Sequence, residues 1–169
     1  MVNQPTKETE VFLSLGSNID PEENLKYACR ELKKTFGNIQ ISSVYKNKPI
    51  GFEGNDFLNM VVKIKSTFNL NEMLDYLRCL EVATGRDIGT GAFDSRTLDI
   101  DMILYSDLVH PEKPFKIPRN DIELYSFVLC PLAEINPDGI HPVTGKAFKD
   151  LWENFDQEEH SLNKVSIDI

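Results

Sequence analysis

The sequence predicts an α+β fold: a ferredoxin-like βαββαβ core, an antiparallel sheet with both helices on one face, and a C-terminal extension. Three observations carry this. Apolar residues alternate at period two in "EVFLSLGSN", "FLNMVVKIKST" and "TLDIDMILY". Two intervening segments show apolar residues at helical spacing behind N-terminal capping signals. The order along the chain is strand, helix, strand, strand, helix, strand.

In the first strand Val11, Leu13 and Leu15 alternate against Phe12 and Ser14, and Gly16 ends the run. Asp20, Pro21 and Glu23 then predict a helix start, with Asp20 as cap, Pro21 in the first turn and Glu23 as the acid of a capping box. Leu25, Ala28, Leu32 and Phe36 share one face of this helix, and Gly37 stops it. "NIQISSVYKNKPIG" reads as a strand running into an irregular loop, and "GFEGND" as a flexible connection. Leu58, Met60, Val62 and Ile64 alternate in the next strand. Asn69 and Glu72 predict a capping box for a second helix that runs to Gly85. "GRDIGTGAFDSR" has three glycines and no periodicity, so it reads as a mobile loop. From Ser106 onward the chain is rich in proline and polar residues, and reads as an extension wrapping the core with short helices near 124–130 and 147–155. No repeat or composition break divides the chain, so residues 1–169 read as one domain.

Composition excludes several classes of function. The 169 residues are 41% hydrophobic and 27% charged, as in an ordinary globular protein. No apolar run approaches the ~20 residues of a membrane helix, and "MVNQPTKETE" lacks the apolar centre of a secretory signal. Cys29, Cys79 and Cys130 are odd in number, widely spaced and without a CxxC pair. They read as reduced, mostly buried thiols of a cytoplasmic protein. A net charge of −9 argues against a nucleic-acid partner. A phosphate-bearing ligand must then be held by a few placed cations or by metal ions. The chain is expected to act as a monomer on small molecules.

The stretch "SRTLDIDMILY" holds the chemistry. Leu98, Ile100, Met102 and Leu104 fall on one face at period two, and Asp99, Asp101 and Ile103 on the other. Helices on the first face leave the aspartates on the second, with α-carbons roughly 6.6 Å apart. Two carboxylates so close repel unless a cation lies between them. Magnesium takes oxygen ligands, typically one or two carboxylates completed by phosphates and water. A lone Asp-x-Asp is commonly just a solvent-facing edge, but three neighbours weigh against that here. Arg96 precedes the pair and can reach a phosphate or the carboxylates; Glu81 lies on the apolar stripe of the second helix with Leu77; and the glycine-rich loop leads straight into the strand, like a lid.

These residues resemble the signature of the 6-hydroxymethyl-7,8-dihydropterin pyrophosphokinase family: Arg, two residues, Asp, an aliphatic, Asp, then aliphatics. "FLSLGSNI", "SSVYKNKPIG", "DFLNMVV", "LEVATGR" and "FVLCPLAEINPDGIHP" extend the resemblance over about residues 11–145 in order and spacing. The resemblance implies transfer of the β,γ-pyrophosphoryl group of ATP to the hydroxymethyl group of a reduced pterin, releasing AMP. It implies two Mg²⁺ ions held by Asp99 and Asp101. It also implies that Asn59 bonds the pterin edge, that Phe57 and Phe127 sandwich the ring, and that Phe93 stands in the lid. Backbone around Asn47, Pro49 and Ile50 would complete the pterin pocket. Arg96 would meet the phosphates, with Arg78, Glu81, Lys116 and Arg119 on the nucleotide side.

The chain also departs from the pattern. Asp94-Ser95 stands where the family usually has Gly-Pro, and "DIGTGAF" lacks the usual basic residues. Arg119 replaces a His, and Tyr125 replaces an Arg. An active pyrophosphokinase is the leading expectation, with weaker nucleotide binding than is usual for the family. A catalytically weakened pterin- or nucleotide-binding relative is the alternative. An RNA-binding module of the same fold would need a basic sheet surface, and this chain places aspartates there.

Overall fold

The computed structural model describes residues 7–85 and 97–169. Strand β1 (Thr9–Ser17) leads into helix α1 (Pro21–Phe36), then come short strands β2 (Gln40–Ile41) and β3 (Val44–Asn47), and the long strand β4 (Phe57–Ser66). Helix α2 (Leu70–Ala83) and strand β5 (Asp99–Tyr105) complete the core. The extension adds helices α3 (Asp121–Leu124), α4 (Ser126–Ile135) and α5 (Phe148–Glu153) and strand β6 (Asn163–Val165). The sheet order is β5-β1-β4-β3-β6, with β2 also paired to β4, and every pairing is antiparallel. This is the expected ferredoxin-like core, widened by β6.

The predicted second strand splits in two. Ser42 interrupts it: its N–H donates to the Val61 carbonyl at 2.9 Å, while its hydroxyl accepts from Val61 N–H at 2.9 Å. The side chain thus takes a place in the ladder that backbone would otherwise fill. The two helix starts also differ from one another. At α2 the capping box forms, with Glu72 N–H donating to Asn69 Oδ1 at 3.0 Å and Asn69 N–H to Glu72 Oε2 at 2.8 Å. At α1 it does not. Asp20 is left-handed (φ 43) and makes no side-chain cap bond. That start rests on Pro21, which lacks a donor to satisfy, and on the acidic Glu22 and Glu23 beside the positive end of the helix.

Both faces of the sheet carry a core. On one, Val11, Leu13, Leu15, Met60, Val62, Ile64, Ile100 and Met102 pack under Leu25 and Leu32 of α1 and Met73 and Leu77 of α2. On the other, Phe12, Val61, Ile103 and Leu104 pack against Val128, Leu129 and Leu132 of α4 and Phe148 of α5. Full burial of such a side chain is worth about 1.5–3 kcal/mol, so the extension contributes its own stability. Leu104 corrects the alternation read from sequence. The register slips between Phe12 and Leu13, where Phe12 faces Leu104 but Leu13 faces Met102. Ile103 is the extra residue of that bulge, and Leu104 turns with it to the second face. Cys79 is a second correction: it is exposed on α2, whereas Cys29 is buried and Cys130 partly so. No helix among the described residues is long and apolar enough to cross a membrane.

Candidate active site

The extension covers only part of the second face. The uncovered part is organised by β1, which lies between β4 and β5. Gly16 on β1 pairs with Asn59 on β4 to one side and with Asp99 on β5 to the other. One step along, Ser14 pairs with Asp101. Directly paired residues share a face, so Asn59, Gly16 and Asp99 form a row with Asp101 beside it. This places both aspartates off the α1/α2 core face, as their spacing predicts. A Cβ at Gly16 would come within 2.8 Å of Asn59 Oδ1, so the bare glycine leaves a notch between the two sides.

On the β4 side, Asn59 is buried, and its side-chain NH₂ donates to Asn47 Oδ1, while Asn47 Nδ2 donates to the Lys48 carbonyl at 2.9 Å. Pro49 is half-buried and Ile50 exposed in the loop that follows. The Phe57 ring meets Phe52 edge-on at 6.2 Å between centroids. Phe127, at the start of α4, stacks on Tyr125 at 5.0 Å with 14° between planes. Each ring of the expected sandwich therefore already has an aromatic neighbour in this structure. Glu134 of α4 ties the helix to β3. It accepts from Ser43 N–H at 2.9 Å, Ser43 Oγ at 2.8 Å and Tyr45 Oη at 2.5 Å. Burial opposes ionisation of Glu134, but these donors outweigh it and hold its carboxyl below the usual value.

On the β5 side the groups are charged. Glu81 reaches from α2, and its Oε1 accepts the Ile100 N–H at 2.8 Å, between the two aspartates along the edge strand. A carboxylate on an apolar stripe thus caps a backbone donor that the sheet leaves over. Arg119, just before α3, is held by its N–H to the Ile103 carbonyl at 3.1 Å. Its Nε and Nη2 lie 3.1 and 3.0 Å from Asp121 Oδ2, and Nη1 lies 3.7 Å from Asp101 Oδ1. Burial disfavours the guanidinium charge, but Asp101, Asp121 and Asp99 outweigh it and raise its pKa. Lys116 is exposed in the preceding loop, its N–H donating to the Glu112 carbonyl at 3.0 Å. Arg78 is exposed on α2 and faces Asp75 at 4.0 Å. Phe93 and Arg96, with the rest of the expected lid, lie outside the described residues.

Sequence reasoning passed over Gly16 as the divider, Asp121 as the anchor of Arg119, and the Tyr45–Glu134 tie. A glycine inside an alternating strand signals close approach and could have marked the first. Arg119 and Asp121 are two residues apart, so an Arg-x-Asp pair before a helix could have marked the second. The Tyr45–Glu134 tie joins residues far apart along the chain and has no local signal.

Residues 12–137 match the family model described as 7,8-dihydro-6-hydroxymethylpterin-pyrophosphokinase. The 2-amino-4-hydroxy-6-hydroxymethyldihydropteridine pyrophosphokinase of Aquifex aeolicus is 36% identical over 145 residues, covering 83% of this chain and 89% of its own. The enzyme of that name from Haemophilus influenzae is 33% identical over 159 residues, covering 92% and 97%. A crystal structure of the Plasmodium falciparum HPPK-DHPS protein superposes with a TM-score of 0.73 at 13% identity, over 95% of this chain and 48% of that one. This chain thus spans about half of that fused protein, and the likeness concerns the fold. The chain belongs to the 7,8-dihydro-6-hydroxymethylpterin-pyrophosphokinase family.

Proposed function

We infer that this chain is the pyrophosphokinase of folate biosynthesis, moving the β,γ-pyrophosphoryl group of ATP onto the hydroxymethyl oxygen of 6-hydroxymethyl-7,8-dihydropterin. The new bond joins that oxygen to the β-phosphorus, the bond from the β-phosphorus to the AMP oxygen breaks, and the hydroxyl proton leaves. The observation that carries the reading is the row Asn59–Gly16–Asp99, which sets a buried, hydrogen-bonded asparagine one strand away from a carboxylate pair.

The residues suit Mg²⁺. The donors at Asp99 and Asp101 are carboxylate oxygens, and among the described residues no group of three acidic, His or Cys side chains forms a complete cage. That fits an ion which relies on phosphates and water for its other ligands. Asp99 and Asp101 hold the metal in this reading, two ions by family likeness, and bound metal supplies charge neutralisation on the phosphates. Asn59, positioned by Asn47, bonds the pterin edge. Phe57 and Phe127 flank the ring, in keeping with the offset or edge contacts aromatic faces favour; Phe127 then leaves or shares its stack with Tyr125. Pro49 and Ile50 close the pocket. Phe93 and Arg96 act from the lid, and Arg78, Glu81, Lys116 and Arg119 stand on the nucleotide side. The chain works as a single-domain monomer in the cytoplasm.

The test is AMP release. Purified protein with ATP, Mg²⁺ and hydroxymethyl-dihydropterin is expected to form AMP only when all three are present. Pterin binding without AMP release overturns the reading.

A further inference from the structure

The aspartate pair already has a cation beside it. Arg119 Nη1 lies 3.7 Å from Asp101 Oδ1, an ion-pair distance longer than a direct hydrogen bond. The other side of the guanidinium is fixed more firmly, with Nε and Nη2 3.1 and 3.0 Å from Asp121 Oδ2. Asp121 is the first residue of α3, and the Arg119 N–H is bonded to β5 itself. The side chain is 35% exposed, so the charge at the site is only partly hydrated. An arginine does not lose its proton at any working pH, so only movement takes this charge away.

We propose that Arg119 is a resident counter-ion of the metal-binding carboxylates, yielding Asp101 when a divalent cation arrives together with a polyphosphate. The proposal rests on the pyrophosphokinase reading of the site. A divalent cation approaching Asp101 alone meets a fixed positive charge a few ångströms away, and is disfavoured. A polyphosphate supplies several oxygens that a guanidinium can bond bidentately, so Arg119 has a better partner once the anion is present. Metal and polyphosphate binding are then coupled, each strengthening the other. Arg119 positions charge here and takes no part in bond making.

Calorimetry with the folded protein at low ionic strength tests this, using Mg²⁺ alone and then inorganic tripolyphosphate with Mg²⁺. Arg119→Gln is expected to bind Mg²⁺ alone about tenfold tighter, and Mg²⁺-tripolyphosphate about tenfold weaker, than the parent. Tighter metal binding is not something a merely loosened fold produces. Arg119→His at pH 8, where an imidazole is mostly neutral, provides the same comparison should Arg119→Gln not fold. Unchanged or weaker Mg²⁺ binding in the neutral variants overturns the counter-ion role, and unchanged tripolyphosphate binding overturns the transfer to phosphate. Failure of the functional reading is a separate result. It shows as absent AMP release by the parent, whatever the metal titrations give.

Discussion

On the β4 side of Gly16 the candidate site is made of neutral groups set by strand register; on the β5 side it is made of charges, some carried by loops. Asn59 is fixed by its pairing with Gly16 and Tyr45 and by its bond to Asn47. Arg119 is held by Asp121 at the start of α3, and it leans on the group it is expected to leave. The difference teaches how each half meets its ligand. A flat, uncharged ring with a fixed polar edge suits a pocket formed in advance, because ordering side chains at binding costs affinity. A hydrated, highly charged nucleotide instead needs charges that can exchange partners, and those must be balanced while they wait.

Breaking the charged half should have the largest effect. Asp101→Asn is expected to lower AMP formation by roughly two to four orders of magnitude, the scale of losing a key charge-stabilising group. Its thermal midpoint should stay close to the parent's, since Asp101 is partly exposed and off the core. Near-normal turnover in steady-state assays would remove the metal role from Asp101.

The preformed half should respond in affinity more than in turnover. Asn59→Ala leaves a polar ring edge without a partner, and should cost roughly 1–3 kcal/mol of pterin binding in a fluorescence titration. Gly16→Ala places a methyl group 2.8 Å from Asn59 Oδ1, and Asn59 is buried and bonded, so it cannot simply swing aside. A loss of about 1–3 kcal/mol in pterin affinity is expected, from overpacking. If Gly16→Ala binds pterin as the parent does, the notch is not part of the pocket.

Tyr125→Arg sharpens the comparison, because it adds charge to the nucleotide side and removes a stack from the pterin side. A non-hydrolysable ATP analogue with Mg²⁺ should bind up to about tenfold tighter at low salt, the gain fading as salt screens it. Loss of the Tyr125 stack on Phe127 is worth about 0.5–1.5 kcal/mol, which either half of the site can feel. No gain in nucleotide affinity at low salt would count against Tyr125 lying within reach of the phosphates.

The smallest effect concerns the tie beneath the pocket. Glu134→Gln weakens three hydrogen bonds to a group that solvent still reaches, so the cost should be about 1 kcal/mol, or roughly 2–4 °C in thermal midpoint. Its carboxyl sits below the usual value in the folded chain, so its contribution is fully present at neutral pH. It declines as pH falls below 4.5 through the lowered folded value. Parent and Glu134→Gln melting curves should therefore converge in acid. A gap that widens with acidification would reverse the sign assigned to this group.

Much of this architecture can be read from local pattern. The period-two runs and the Asn69–Glu72 box are short-range signals, and they place the sheet, α2 and the Asp99–Asp101 pair on the expected face. The cap expected at Asp20 does not form, because a capping residue needs an extended backbone and Asp20 is left-handed. Leu104 was misread because a bulge depends on the partner strand, which alternation within one strand does not register.

By itself, then, the sequence determined the βαββαβ order of the core, the acidic character and the face on which two aspartates stand, since each follows from periodicity, charge or spacing along one chain. The tertiary structure alone decided that the extension fills part of the second face with its own core, and that Gly16 divides the uncovered remainder. It also decided that Arg119 comes to rest against Asp101. The physical reason is that these are meetings of groups far apart along the chain, set by strand register and packing, and no local propensity encodes them.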